Sequence, residues 1–249
     1  MTYSIIIPAY NESARIRPTL DEILRYAADH HWQSEILVVN DGSRDDTAEI
    51  IREYGRAHPQ VQLVENPGNR GKGFSVRNGM LHSRGEICLF TDADLSSPIA
   101  ESQKLFDAIA QGADVAFGSR WLRAELQTER QPLYRQAFGR IFNLLLRLVL
   151  GLYYKDTQCG FKAFRREAVE RIFPLQRIER WGFDPEILFL ARRMRFRVVE
   201  VPVEWAHAEG TRLNPFRDGL RMFGDVMHIR WNSLTGAYSR PAAVAPRRS

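Results

Sequence analysis

The chain has 249 residues, of which 44% are hydrophobic and 26% charged, with 35 Lys and Arg against 30 Asp and Glu for a formal net charge of +5. This composition excludes a disordered or collagenous chain, and the length suits one domain with a sizeable core. The 2 cysteines, Cys88 and Cys159, make neither a disulfide framework nor a metal cluster, which fits a reducing compartment.

Met1 is followed at once by Thr2-Tyr3-Ser4-Ile5-Ile6-Ile7-Pro8, without a basic leader region or a long apolar run, so no secretory peptide is expected. Nearly continuous apolar runs predict strands at Ser4–Ile7, Glu35–Val39, Val61–Val64, Ile87–Thr91 and Asp114–Gly118, as in a sheet covered on both faces. Helical patterns lie between them. Pro18 stands in a first turn ahead of Leu20, Ile23, Leu24 and Ala27, and Pro98 opens a helix that Gly112 closes. The alternation predicts an α/β fold, an open, mostly parallel, Rossmann-like sheet with helices on both faces.

After Gly118 the pattern changes to an Arg-rich helical stretch, a Cys159-Gly160-Phe161 segment and a late strand, Val198–Val203. Between Arg120 and Arg171 stand 11 basic and 5 acidic residues, so the excess positive charge resides in this segment. The apolar run Ile141–Tyr154 inside it, broken by Asn143 and Arg147, would span about 21 Å as a helix against a hydrocarbon core of about 30 Å, so it should not cross a bilayer. Phe138, Ile141, Phe142, Leu145, Leu148, Val149 and Leu152 follow helical spacing, with Arg135, Arg140 and Arg147 beside them. That pattern suits a core helix or a basic helix lying on an anionic membrane surface, and the second reading is preferred. No nucleic-acid-binding motif accompanies the charge. A single domain is expected over residues 1–232, with a disordered tail over 233–249 whose end, Pro241–Ser249, is Ala/Pro/Arg-rich.

In such sheets ligands bind beyond the carboxyl ends of the strands. Four predicted strand ends carry Pro8 to Glu12, Asn40-Asp41-Gly42-Ser43, Asn66 to Gly73, and Asp92-Ala93-Asp94. Two carboxylates two residues apart where a buried strand turns outward suit a hard cation, Mg²⁺ or Mn²⁺, completed by substrate phosphates. Equally, Asp94 or Ser96 would serve as a helix cap before Pro98. Asp41 would accept a hydrogen bond from a ribose or base, or merely occupy a turn. The Gly68–Gly73 loop lacks GxxxxGK[ST], and Val76 stands where GxGxxG needs its third glycine, which removes the main support for a P-loop enzyme or dinucleotide dehydrogenase.

Taken in order, Ile5-Ile6-Ile7-Pro8-Ala9-Tyr10-Asn11-Glu12, Val38-Val39-Asn40-Asp41-Gly42-Ser43, Asn69-Arg70-Gly71-Lys72-Gly73 and Thr91-Asp92-Ala93-Asp94 resemble the family-2 glycosyltransferases of GT-A fold. Within that family, Gly118-Ser119-Arg120, Asp156-Thr157-Gln158-Cys159-Gly160-Phe161-Lys162 and Arg180-Trp181-Gly182-Phe183-Asp184 resemble the polyprenyl-phosphate sugar synthases, most closely the dolichyl-phosphate β-glucosyltransferases. The resemblance implies a nucleotide-sugar half, 1–118, an acceptor half, 119–232, and a C-terminal amphipathic helical extension. It implies that Pro8, Tyr10, Glu12, Val39 and Asp41 hold the nucleoside. Asp92, Ala93 and Asp94 would face the diphosphate, with Asp92 and Asp94 as metal ligands and Asp94 the stronger. The related mannosyl synthases carry Gln where Ser96 stands. The eukaryotic glucosyl enzymes begin with a membrane anchor that this sequence does not show.

The expected reaction is inverting transfer of a hexose from a nucleotide sugar, UDP-glucose ahead of GDP-mannose, to a polyprenyl phosphate. A phosphate monoester is already anionic and hardly needs a general base, so positioning and charge compensation should dominate. Arg120, directly after a strand, is the first candidate for the acceptor phosphate, with Arg135 and Arg140 behind it. Asp184 is expected near the reacting centre, although an acid before Pro185 also suits a turn. Arg212 and Lys72 would assist at the diphosphate, and His207 is a candidate metal or diphosphate contact. The enzyme would be cytoplasmic and peripheral on the inner face of a membrane. A transferase acting on a hydroxyl and an inactive nucleotide-sugar-binding module are the competing classes.

Overall fold

The structure, a computed structural model, describes residues 2–122, 133–205 and 215–242. Its first half comprises β1 (Tyr3–Ala9), α1 (Ile16–Asp29), β2 (Ser34–Asn40), α2 (Thr47–Ala57), β3 (Val61–Glu65), α3 (Lys72–His82), β4 (Ile87–Phe90), α4 (Ser102–Ala110) and β5 (Val115–Ser119). The second half adds α5 (Leu133–Leu150), β6 (Lys162–Arg165), α6 (Arg166–Ile172), α7 (Phe183–Arg193), β7 (Val198–Pro202) and α8 (Pro215–Leu234). All the expected strands form, within a residue or two of their predicted ends.

The 7 strands make one sheet in the order β3-β2-β1-β4-β6-β5-β7. Every pairing is parallel except those of β6, which runs antiparallel to both β4 and β5. Strand direction reverses only there, so β6 begins at the edge where its neighbours end, and 156–161 is delivered to that edge. The order also changes direction between β1 and β4, which makes a switch point where a crevice opens. Period-two alternation sorts the core. Ile5, Ile7, Val38, Leu89 and Ala116 face one helix layer, whereas Ile6, Val39, Phe90, Val115 and Phe117 face the other. On the second face α3 comes so close that a Cβ at Gly79 would stand 2.5 Å from Ile6 and 2.8 Å from Val39.

Helix α5 stops at Leu150 because Gly151 adopts φ +67°, so Leu152 to Tyr154 leave the helical run that their spacing suggested. The expected disordered tail needs a larger correction. Helix α8 continues to Leu234, a short 3₁₀ turn follows at Ala237–Ser239, and Tyr238 is buried. The Tyr238 hydroxyl donates to Glu186 of α7 at 2.7 Å, the Ala242 amide donates to the Pro174 carbonyl at 2.7 Å, and Arg77 donates to the Ala242 carbonyl at 3.0 Å. The sequence did not reveal that Tyr238, ahead of the Ala/Pro/Arg-rich end, has a buried acceptor.

Glu186 itself is fully buried, and burial pushes its carboxyl up to about 7 against the hydrogen bonds of the Ile178 amide, the Tyr238 hydroxyl and the Arg177 amide. Between 4.5 and about 7 the folded chain therefore binds more protons here than the unfolded chain, and this group's contribution to stability declines as pH rises through that window. Glu186→Gln should remove that component. Urea unfolding from pH 4.5 to 7 is expected to show a wild-type decline steeper by on the order of 3 kcal/mol.

Candidate active site

The loops at the carboxyl edge are tied to one another by side chains acting on backbone. Asn11, held at φ 54°, donates its amide to Ser43 Oγ at 2.9 Å, and its own Oδ1 accepts the Arg44 amide at 2.8 Å. The Glu12 amide donates to Thr47 Oγ1 at 2.8 Å, and the Ser13 amide to Asp45 at 3.1 Å. Asp41, buried, accepts Asn66 Nδ2 at 2.8 Å and the amides of Arg70 at 2.9 Å and Gly71 at 2.8 Å. Three donors on a carboxylate with about four acceptor positions leave room for one more, so Asp41 shapes the 66–73 loop and still suits a nucleoside donor.

Asp92 and Asp94 leave β4 at the switch point, both partly exposed. Asp92 pairs with Lys72 Nζ at 2.5 Å, and a Cβ at Gly160 would run into its carboxylate, so the segment leading into β6 closes over it only because that residue is glycine. Asp94 accepts the amide and hydroxyl of Ser96 at 3.0 and 2.9 Å, an Asx turn. The cap expected of Asp94 or Ser96 does not form, since Pro98 begins the following 3₁₀ turn at Ile99–Glu101. Lys72 is held above its ordinary value: burial opposes its charge, but Asp92, Asp184 and Asp94 outweigh it. Trp181 stands with its ring 5.4 Å from the same ammonium.

The donor set fits a hard divalent cation. Among the described residues no group of three or more His, Cys, Asp or Glu is arranged as a complete metal site. Two partly exposed oxygen donors at the carboxyl edge, one of them already attracting a cationic side chain, match an ion that takes its remaining ligands from phosphate and water.

Two further ion pairs lie along the edge. Arg120, after β5, grips Asp156 through Nε at 2.7 Å and Nη2 at 2.8 Å, its backbone amide adds a bond at 2.9 Å, and its guanidinium lies 5.4 Å from the Trp205 ring. Burial opposes ionisation of both partners, yet their attraction holds Arg120 above its ordinary value and Asp156 below. In the second pair Lys162 Nζ lies 2.5 Å from Asp184, at the start of α7, and also donates to the Cys159 carbonyl. Burial raises the Asp184 carboxyl despite Lys162 and Lys72. Cys159, pushed up by burial to about 12, is no nucleophile.

The structure thus brings Asp41, Lys72, Asp92, Ala93, Asp94, Arg120 and Asp184 to one edge, with Pro8, Tyr10 and Glu12 at the end of β1. Val39 is different, because its side chain packs in the core against Gly79. Arg135 and Arg140 lie in α5, but their side chains are outside the described set, as are Arg212 and His207 altogether. Lys162, Asp156 and Trp181 entered the sequence reading only as members of the motifs that carry the resemblance, with no individual role assigned to them. A lysine opening a strand whose next two residues, Ala163 and Phe164, are apolar was the available signal for Lys162.

A mostly parallel sheet with stitched nucleotide-type loops and an acidic pair at its switch point is the architecture of a GT-A glycosyltransferase. The chain belongs to glycosyl transferase family 2, whose model matches residues 4–173. It is 43% identical over 213 residues to a dolichyl-phosphate beta-glucosyltransferase of Trichomonas vaginalis, covering 81% of this chain and 63% of that one. With the human dolichyl-phosphate beta-glucosyltransferase the identity is 34%, covering 94% of this chain and 76% of the relative. The fold also matches Mycobacterium tuberculosis glucosyl-3-phosphoglycerate synthase, solved with Mn²⁺, UDP-glucose and phosphoglyceric acid, at TM-score 0.68 and 20% identity over 97% of this chain and 81% of that one.

The buried pair at Lys162 gives a stability test. Lys162→Met, which strands the Asp184 charge, is expected to cost about 3–5 kcal/mol in chemical denaturation, and Lys162→Met with Asp184→Asn much less than the sum of the single changes.

Proposed function

We propose that this chain transfers glucose from UDP-glucose to a dolichyl-type polyprenyl phosphate at a membrane surface, with inversion at the anomeric carbon. The observation that carries this reading is the charge arrangement at one sheet edge, an acidic pair with Lys72 at the switch point and an Arg120-centred group beyond β6. Similarity to the dolichyl-phosphate beta-glucosyltransferases supports the sugar and the acceptor.

Asp92 and Asp94 would hold the divalent cation, Mn²⁺ or Mg²⁺, which would neutralise charge on the departing diphosphate. Lys72 keeps its proton among three carboxylates and adds positive charge on the same side. Arg120, aligned by Asp156, offers a guanidinium to the acceptor phosphate, a charge-assisted and directional contact. Close in sequence to Arg120 or Asp156, Ser119 Oγ, Thr157 Oγ1 and Gln158 Nε2 are buried without a hydrogen-bond partner among the described residues, as expected where ligand oxygens complete the site. The acceptor is already anionic, so Asp184 need not act as a base. Bound to Lys162 and buried, it is suited to positioning.

The membrane part of the reading rests on α5 and α8, which pack on one another. Ile141, Leu144 and Leu148 of α5, Tyr153 just beyond it, and Phe223, Met227, Trp231 and Leu234 of α8 are exposed, with Leu148 at 77% and Trp231 at 63%. Their spacing of three or four residues makes a stripe on each helix, and Arg147, Arg221 and Arg230 are exposed beside them. Such helices lie in a headgroup region. No helix among the described residues is long and apolar enough to cross a membrane.

Purified protein given UDP-glucose, Mn²⁺ or Mg²⁺ and a short polyprenyl phosphate should move radiolabelled glucose into the organic phase. Chelation should abolish this and Asp94→Asn should lower kcat about 100-fold or more; undiminished transfer under chelation refutes the role of the acidic pair. Leu148→Asp with Trp231→Asp should greatly reduce sedimentation with anionic liposomes while the circular dichroism of the fold is kept. Unchanged partitioning refutes the membrane face.

A further inference from the structure

The segment between α6 and α7 is laid directly on the start of α3. The Phe74 amide donates to the Glu179 carbonyl at 2.9 Å, and Gln176 Nε2 donates to the carbonyls of Gly73 at 2.8 Å and Ile178 at 3.1 Å. A Cβ at Gly73 would stand 2.6 Å from the Ile178 carbonyl, and one at Gly71 would stand 2.7 Å from that of Glu179. Arg70 closes the same contact from the side, with Nη2 2.5 Å from Glu179. Strip 176–182 and loop 70–74 are therefore tied together, and between them they carry Lys72, Trp181 and the approach to Asp184.

What holds the strip from behind is the C-terminal segment. Glu186 accepts the Ile178 amide at 2.8 Å, the Arg177 amide at 3.1 Å and the Tyr238 hydroxyl at 2.7 Å. Arg177 donates to the carbonyls of Ala237 at 2.6 Å and Arg240 at 3.0 Å. Arg77 of α3 joins the Phe173 carbonyl at 3.0 Å to that of Ala242, also at 3.0 Å. Tyr238 also lies against Phe189 of α7, with ring centroids 6.4 Å apart. The groups facing Glu186 are thus Tyr238 from the C-terminal turn, Arg177 from the strip and Arg77 from α3.

We infer that Glu186 and Tyr238 are positioning residues for glycosyl transfer, a clasp by which residues 236–242 hold strip 176–182 against the α3 N-terminus and so fix Lys72 and Asp184 in the active site. None of these groups reaches the sheet edge itself. The clasp acts through the backbone of the strip, whose displacement would be felt by charges that must stand correctly in the transition state. This inference rests on the transferase reading for its kinetic arm only.

The test uses the full chain with Tyr238→Phe, which keeps the ring and removes one hydroxyl, together with Glu186→Gln and Glu186→Ala. Amide hydrogen exchange should show protection of 71–74 and 176–183 falling about tenfold in Tyr238→Phe, with β1 and β2 unchanged. With UDP-glucose and a short polyprenyl phosphate, kcat should fall about fivefold to tenfold at nearly constant donor KM, the pattern of an interaction realised in the transition state. Glu186→Gln should recover most of the activity lost in Glu186→Ala. Loosened exchange confined to 236–242, or wild-type kcat in Tyr238→Phe, overturns the inference. Absence of any transfer by the wild-type chain overturns the transferase reading instead, and the exchange result then decides the clasp alone.

Discussion

The site depends on matching three carboxylates at the sheet edge, Asp92, Asp156 and Asp184, with cations from other elements of the chain. Lys72 from the start of α3 answers Asp92 after β4, Lys162 at the head of β6 answers Asp184 of α7, and Arg120 after β5 answers Asp156. Buried pairs of this kind add little net stability, because desolvation offsets most of the attraction, but losing one partner is costly. Their effect is to fix where charge stands. Positive and negative groups alternate along the rim, and this pattern would let one face accept a diphosphate and a second anion without their mutual repulsion going unanswered.

The fold supplies this alternation through one reversal of strand direction. Because β6 is antiparallel among parallel neighbours, the chain enters it at the edge that β4 and β5 leave, and Asp156 and Lys162 are carried to the edge where the first half's carboxylates stand. Glycine makes the approach possible at Gly160, against Asp92, and at Gly73, against the Ile178 carbonyl. A methyl group would collide with a carboxylate in the first place and with backbone carbonyls in the second. Asp41 performs a similar service for the loop before α3, holding two backbone amides that would otherwise need water.

The second half of the chain has two different surfaces to manage. On the sheet side, α5 and α8 contribute Leu146, Leu150, Val226 and Ile229 to the core. Away from it, both helices leave large apolar side chains exposed. The C-terminal segment then turns back from α8 to the rear of the active-site strip, so the proposed lipid-facing helix and the proposed donor-side groups are joined by a few buried hydrogen bonds.

Much of this was legible from residue order. Apolar runs with polar strand ends, Pro18 and Pro98 near helix starts, and the four motifs after the first four strands determined the sheet, its covered faces and the edge at which chemistry would occur, because local periodicity and turn residues act over short distances. The partners of the charges were not legible. Lys162 opens a strand that the sequence reading missed, Glu186 meets Tyr238 across 52 positions, and the tail that composition described as disordered is ordered to residue 242. Those features come from long-range approach in the folded chain, where burial makes an unpartnered polar group costly and so selects one geometry. Local sequence bears no mark of which distant residue will satisfy it.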